Sequence, residues 1–204
     1  MILFDLHRLV GERSESEVFY ITYKKLQITI YMRTISIIVG IILIAIDQVS
    51  KVWAVNTLAA GDGSMPGIDS IELWQGVFHL QYTANRGGAW GILSGKQGIL
   101  ILITSIIIIG MLFFIRHLPK TKWGDFSKVA FILVISGAIG NLIDRVLLGY
   151  VRDFFYFILI EFPIFNFADI FVVVGMSMLI IAMLFGDLDG EKINKVKGLN
   201  EDEN

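Results

Sequence analysis

Four uninterrupted apolar stretches, residues 34–55, 98–115, 129–148 and 164–185, constrain this chain more than any other feature. Each is about as long as a helix must be to cross a hydrocarbon core of roughly 30 Å. Together they hold only five of the 36 Asp, Glu, Lys and Arg residues. In a chain of 204 residues that is 55% hydrophobic and 18% charged, with a mean hydropathy of +0.70, such stretches do not fit a water-soluble domain. The expected fold class is an α-helical integral membrane protein, a four-transmembrane-helix bundle.

Composition closes several chemical routes. The absence of cysteine removes disulfides, thiolate nucleophiles and Cys-based metal sites. His7, His79 and His117 are scattered and form no H-E-x-x-H pair, so neither a metal nor a cofactor is expected. A net charge of -2 without a basic, aromatic-interleaved stripe gives no reason to expect a nucleic-acid partner.

Three regions are expected. Residues 1–31 mix charge with short apolar runs and lack the core of a signal peptide; they read as a cytoplasmic extension, or equally as a start-site artefact ahead of Met32. Residues 32–186 form the membrane domain, and 187–204 a polar, acidic, disordered cytoplasmic tail. Lysine and arginine set the orientation. Lys24, Lys25, Arg33, Arg116, Lys120, Lys122, Lys128, Lys192, Lys195 and Lys197 fall on one side, against Arg86, Lys96 and Arg152 on the other. Both termini are therefore expected in the cytoplasm. Between the first two spans, about residues 56–97, lies an external segment in which 70–83 partly alternates apolar and polar residues; this predicts a small external β-rich subdomain between helices 1 and 2.

That orientation places the intramembrane charges near the external surface. Asp47 and Lys51 are spaced i, i+4 and read as a structural pair, with the lysine free to snorkel outward. Asp144 and Arg145 are adjacent and cannot face each other across a turn; Asp144 reads as a hydrogen-bonding group of the bundle. Asp153 follows in the external connection, and Asp169 lies about five residues, or roughly 8 Å, inside the fourth span. A carboxylate in hydrocarbon costs at least about 2.5 kcal/mol, so function or a specific partner is the default. Asp153 and Asp169 have no evident local cation except Arg152, which points away if its segment is extended. They suit a catalytic carboxylate pair sharing one proton, while proton relay and packing stay open on spacing alone. A proton-coupled small membrane transporter using the same carboxylates is the rival class. A Ser94/Lys96 pair would sit in a flexible Ser-Gly-Lys stretch, a poor base for a serine protease.

Five runs occur in order: Asp47-Gln-x-x-Lys51, Thr83-Ala-Asn85-Arg-Gly87-Gly-Ala89, Gly137-Ala-x-Gly140-Asn141-x-x-Asp144-Arg145, Val151-Arg-Asp153-Phe154 and Phe165-Asn166-Phe-Ala168-Asp169. Together they resemble the lipoprotein signal peptidases, the type II signal peptidases of bacterial inner membranes, over residues of about 33 to 186. The resemblance implies an intramembrane aspartyl endopeptidase that cleaves diacylglyceryl-modified prolipoproteins on the N-terminal side of the lipidated cysteine. It places the catalytic dyad on Asp153 and Asp169. It makes Asp47, Lys51, Asn85, Asn141, Asp144, Arg145 and Asn166 the supporting set, with Asn85 and Arg145 expected to orient the substrate backbone and Asn141, Asp144 and Asn166 to hold the site. The implied partners are the prolipoprotein and membrane lipid, and the chain is expected to act as a monomer.

Two departures from the family pattern stand out. Gly88 and Ala89-Trp90 replace Ala and Ala-Phe, which would bring Trp90 to the lipid-facing rim. Arg152 replaces an apolar residue beside Asp153, and its charge is expected to lower the pKa of the pair. Trp74, Phe78, Tyr82 and Trp90 read either as a cradle over the substrate or as an interfacial belt.

Overall fold

The structure, a computed structural model, describes residues 15–59, 70–87, 95–160 and 162–186. The expectations for residues 1–14, Gly88, Ala89, Trp90, Ser94 and the tail 187–204 lie outside the described residues. Four helices among the described residues are long and apolar enough to cross a membrane: α1 (Glu15–Leu58), α2 (Gln97–Phe114), α3 (Lys122–Leu148) and α4 (Phe167–Phe185). Each contains most of one apolar stretch. The fourth begins at Phe167, later than the Ile164 expected, because Asn166 caps it. The first begins far earlier and runs 44 residues, more than twice the ~20 that a span needs. The chain divides into two compact units, Met1–Val39 and Gly40–Asn204, and α1 contributes to both.

Within α1, Thr29, Thr34 and Ser36 return their hydroxyl protons to the carbonyls of Lys25, Ile30 and Met32 at 2.8, 2.9 and 2.9 Å. Hydroxyl groups are thereby satisfied inside the helix without another partner. Thr121 caps α3 by accepting from the Gly124 amide at 3.0 Å. Gly149, at φ 78°, ends that helix in the left-handed conformation natural to glycine.

The expected strands form as β1 (Ile71–Trp74) and β2 (Phe78–Asn85), and a third, β3 (Val151–Phe157), comes from the connection between α3 and α4. The sheet is antiparallel in the order β1-β2-β3. Its register pairs Phe78 with Phe157 at one end, then Thr83 with Asp153 and Asn85 with Val151 at the other. Phe165 extends the pairing through mutual backbone bonds with Phe155 of 2.8 and 3.0 Å. The sheet packs on the bundle through a core of Ala54, Leu58, Leu80, Tyr82 and Phe154, with Phe155 and Phe167 against it.

Elsewhere burial is inverted relative to a soluble protein. Ile107, Leu147 and Met183 are exposed on the helices, whereas Asp47, Lys51, Asp144, Asp153 and Asn166 are among the largest fully buried side chains. Lipid tails are as apolar as leucine, so helix association here relies on close packing and polar contacts. The contacts of α3 with α4 and with α1 show both. A Cβ on Gly137 would overlap the Ala168 carbonyl, and one on Gly140 would overlap the Asp47 carboxylate.

Candidate active site

Where α1, α3, β2, β3 and the start of α4 meet, the predicted site residues join one hydrogen-bonded network, Arg145 only through a long contact of 3.5 Å. Its hub is Asn166. As the N-cap of α4 it accepts from the Asp169 amide at 3.1 Å, while its own amide donates to a carboxylate oxygen of Asp169 at 3.1 Å. This reciprocal capping box has aspartate at the third helical position. The Asn166 side-chain amide also donates to Asp153 at 2.6 Å and to Asn141 Oδ1 at 3.0 Å. A single side chain thus touches both members of the predicted pair. Asp169 consequently stands in the first turn of its helix, nearer the helix start than its sequence window implies.

Asp153 owes its direction to strand alternation, which turns it opposite to Arg152. Its second oxygen accepts from the Asn85 side chain at 3.0 Å, from the neighbouring strand β2. Asn85 is itself fixed by accepting from the Gly87 amide at 3.0 Å. Burial, then the negative charge of Asp169, push the Asp153 carboxyl up to about 7, against the opposing pull of the Asn85 and Asn166 amides. The net shift is upward, opposite to the lowering expected from Arg152, because burial and Asp169 outweigh the opposing groups. The Arg152 guanidinium is committed to Asp144, through Nε at 3.1 Å and Nη2 at 2.6 Å.

Asp47 and Lys51 pair at 2.9 Å as spacing predicts. Lys51 does not snorkel: it is fully buried and reaches inward to Asn141 Oδ1 at 2.9 Å and Asp144 at 3.5 Å. Three acceptors match its three N–H donors, which compensates the buried charge. Asn141 then donates to Asp169 at 2.8 Å, so Lys51 acts on Asp169 through one intervening amide. Asp47 accepts from the Ala168 amide at 3.0 Å, tying α1 to the first turn of α4. Arg145 stays apart. Its one hydrogen bond among the described residues is a long contact of 3.5 Å to the Asn141 carbonyl, although its charge interacts with Asp169, Asp153 and Asp144.

Sequence reasoning missed Gln48 and the contribution of Arg152. Gln48 bonds Asp47, the Gly140 carbonyl and Asp144 at 3.0, 3.0 and 3.3 Å, and accepts from Arg152 at 2.9 Å. Its position inside the Asp47–Lys51 run was the available signal. The aromatic cradle changes as well. Tyr82 is fully buried in the sheet–bundle core and Phe78 stacks on Phe155 at 5.9 Å, which leaves Trp74 exposed.

A family model described as signal peptidase (SPase) II matches residues 39–185. A protein of Clostridioides difficile strain 630 named lipoprotein signal peptidase is 42% identical over 149 residues, covering 73% of this chain and 94% of that protein. One of the same name from Staphylococcus haemolyticus strain JCSC1435 is 39% identical over 156 residues, covering 76% and 93%. A solved bacterial membrane enzyme superimposes with a TM-score of 0.63 at 37% identity, over 74% of this chain and 88% of the other. Nothing among these relationships supports the transporter alternative. On sequence and on fold, the chain belongs to the signal peptidase II family of aspartic peptidases.

Proposed function

We propose that Asp153 and Asp169 are the catalytic dyad of this peptidase, and that it removes signal peptides from diacylglyceryl-modified lipoprotein precursors by cleaving N-terminal to the lipidated cysteine. The observation that carries the assignment is the different treatment of the four aspartates. Asp47 and Asp144 are ion-paired with Lys51 and Arg152, whereas Asp153 and Asp169 are held by neutral amides alone. A carboxyl that keeps its proton to about pH 7 beside a second carboxyl is suited to polarise the scissile carbonyl while its partner draws a proton from water. After attack, the proton passes to the leaving amine, and the roles reverse on product release. No covalent intermediate is required.

The supporting residues divide by what they touch. Asn141 and Asn166 hold the dyad, Asp47 and Lys51 hold Asn141 and the α4 start, and Asp144 anchors the strand that carries Asp153. Asn85, beside Asp153, and Arg145, with most of its donors uncommitted, orient the substrate backbone. Residues 32–186 are the peptidase domain. The lysine and arginine distribution supports cytoplasmic termini and a dyad near the external face of a bacterial inner membrane, where water and a laterally arriving lipidated substrate meet. The chain acts as a monomer.

Lipid dependence tests the substrate assignment. In a detergent gel-shift assay, the purified protein should cleave a diacylglyceryl-modified prolipoprotein and leave its unlipidated counterpart intact; equal cleavage of both would overturn it.

A further inference from the structure

Arg152, next to Asp153 in β3, is among the most committed residues of the site. Its guanidinium grips Asp144 with Nε at 3.1 Å and Nη2 at 2.6 Å, and Nη2 also reaches Gln48 Oε1 at 2.9 Å. Its backbone is held on both sides of the Cα. The amide donates to Asp144 at 3.0 Å, and the carbonyl accepts from the Asn166 side chain at 3.4 Å. The next residue is Asp153. One salt bridge therefore joins β3 to α3, with Gln48 adding α1, immediately before a dyad carboxyl.

The charge balance adds a second effect. Asp144 also lies 3.5 Å from Lys51 Nζ, which bonds Asn141 Oδ1 at 2.9 Å. Asn141 in turn donates to Asp169 at 2.8 Å. With the Asp144 charge met by Arg152, Lys51 stays on Asp47 and Asn141. Without Arg152, one lysine would serve two buried carboxylates.

We infer that Arg152 is a positioning residue for the reacting pair: it pins the strand segment that presents Asp153 and, by carrying the charge of Asp144, leaves Lys51 to hold Asn141 against Asp169. This rests on the reading of Asp153 and Asp169 as the dyad. Arg152 touches neither directly. Its side chain lies on the strand face opposite Asp153, so its effect appears in turnover and protonation rather than in substrate affinity.

The charged and titratable groups around Arg152 set the sign of the test. Asp47 and Lys51 come from α1, Asp144 and Arg145 from α3, Asp169 from α4 and Tyr82 from β2, with Asp153 next in β3. Neutralising Arg152 makes this surrounding more negative, so the dyad keeps its proton to higher pH. Neutralising Asp144 does the reverse.

The experiment is the pH profile of kcat and KM on a lipidated prolipoprotein for wild type, Arg152→Gln, Arg152→Lys, Asp144→Asn and the double variant Asp144→Asn/Arg152→Gln, each normalised to folded protein by size-exclusion chromatography. For Arg152→Gln the expected result is a kcat reduced about tenfold or more with little change in KM, and an alkaline limb moved up by on the order of half a pH unit. Asp144→Asn should move the limb down, and the double variant should return it towards wild type. Arg152→Lys should keep the wild-type limb with a partial loss of kcat, because it retains the charge and loses the fork. The double variant, an uncharged hydrogen-bonding pair, keeps the test available if Arg152→Gln alone does not fold. Limbs that superimpose for wild type and the charge variants, or a change in KM alone, would overturn the inference. Wild type and Asp153→Asn run alongside: inactive, folded wild type would defeat the dyad reading itself, whereas active wild type with unshifted variants would defeat only the role of Arg152.

Discussion

Asn166 donates a hydrogen bond of 2.6 Å to Asp153 while its side-chain oxygen caps the helix whose third residue is Asp169. The separation of two carboxyls from different elements thus depends on one amide. Replacing it separates its two tasks. Asn166→Ser should keep the cap and lose the donor, costing a few tenths of a kcal/mol in stability and about a hundredfold in kcat; Asn166→Ala should lose both and destabilise by about 1 kcal/mol. Thermal unfolding in detergent together with single-turnover cleavage would show the difference.

The Asp153 carboxyl, raised to about 7 by burial and by Asp169, predicts where activity fails in alkali. Above that pH Asp153 ionises and the proton donor is lost, so kcat should fall through about pH 7. Stability should move the same way. The folded state holds a proton that the unfolded chain releases near 3.8, so between there and about 7 rising pH favours unfolding. Asp153→Asn should remove that part of the pH dependence, measured as the difference in melting temperature between pH 5 and pH 8.

The buried lysine should be less replaceable than its helical partner. Lys51→Met leaves Asp47 without its cation and takes one of the two donors from Asn141 Oδ1, with a cost of roughly 3–5 kcal/mol. Asp47→Asn leaves Lys51 with Asp144 and Asn141 and should lower stability by less, with turnover per folded molecule largely retained. Urea unfolding in mild detergent would rank the two.

Gly140 is where the bundle admits no side chain. A methyl there would overlap the Asp47 carboxylate and crowd the Ala168 methyl at 3.3 Å. Gly140→Ala should cost about 1–3 kcal/mol and displace the Asp47 bond to the Ala168 amide. Cleavage should fall with stability, whereas alanine at half-buried Gly110, where a Cβ meets nothing within 4 Å, should be neutral or better.

The span count and the grouping of the four aspartates were legible because hydrocarbon leaves few places for charge, so Asp47, Asp144 and Asp169 stood out against long apolar runs. The strand at Phe78–Asn85 was legible from alternation. Its partner Val151–Phe157 was less so, because this strand is buried on both sides over much of its length and its apolar run lacks a clear period. The start of the fourth helix was misjudged because hydropathy does not see a cap: Ile164 and Phe165 read as helix, but Asn166 caps its first turn. Lys51 illustrates the other limit. Spacing identified its partner on the same helix, while its inward direction depends on Asn141 and Asp144, 90 or more residues away.

The most direct measurement is single-turnover cleavage of a diacylglyceryl-modified prolipoprotein by wild type, Asp153→Asn and Asp169→Asn, each shown to be folded and monodisperse in the same detergent. Both variants should insert and fold like wild type and lose cleavage by at least about a thousandfold. Wild-type-like cleavage by either folded variant would contradict the dyad.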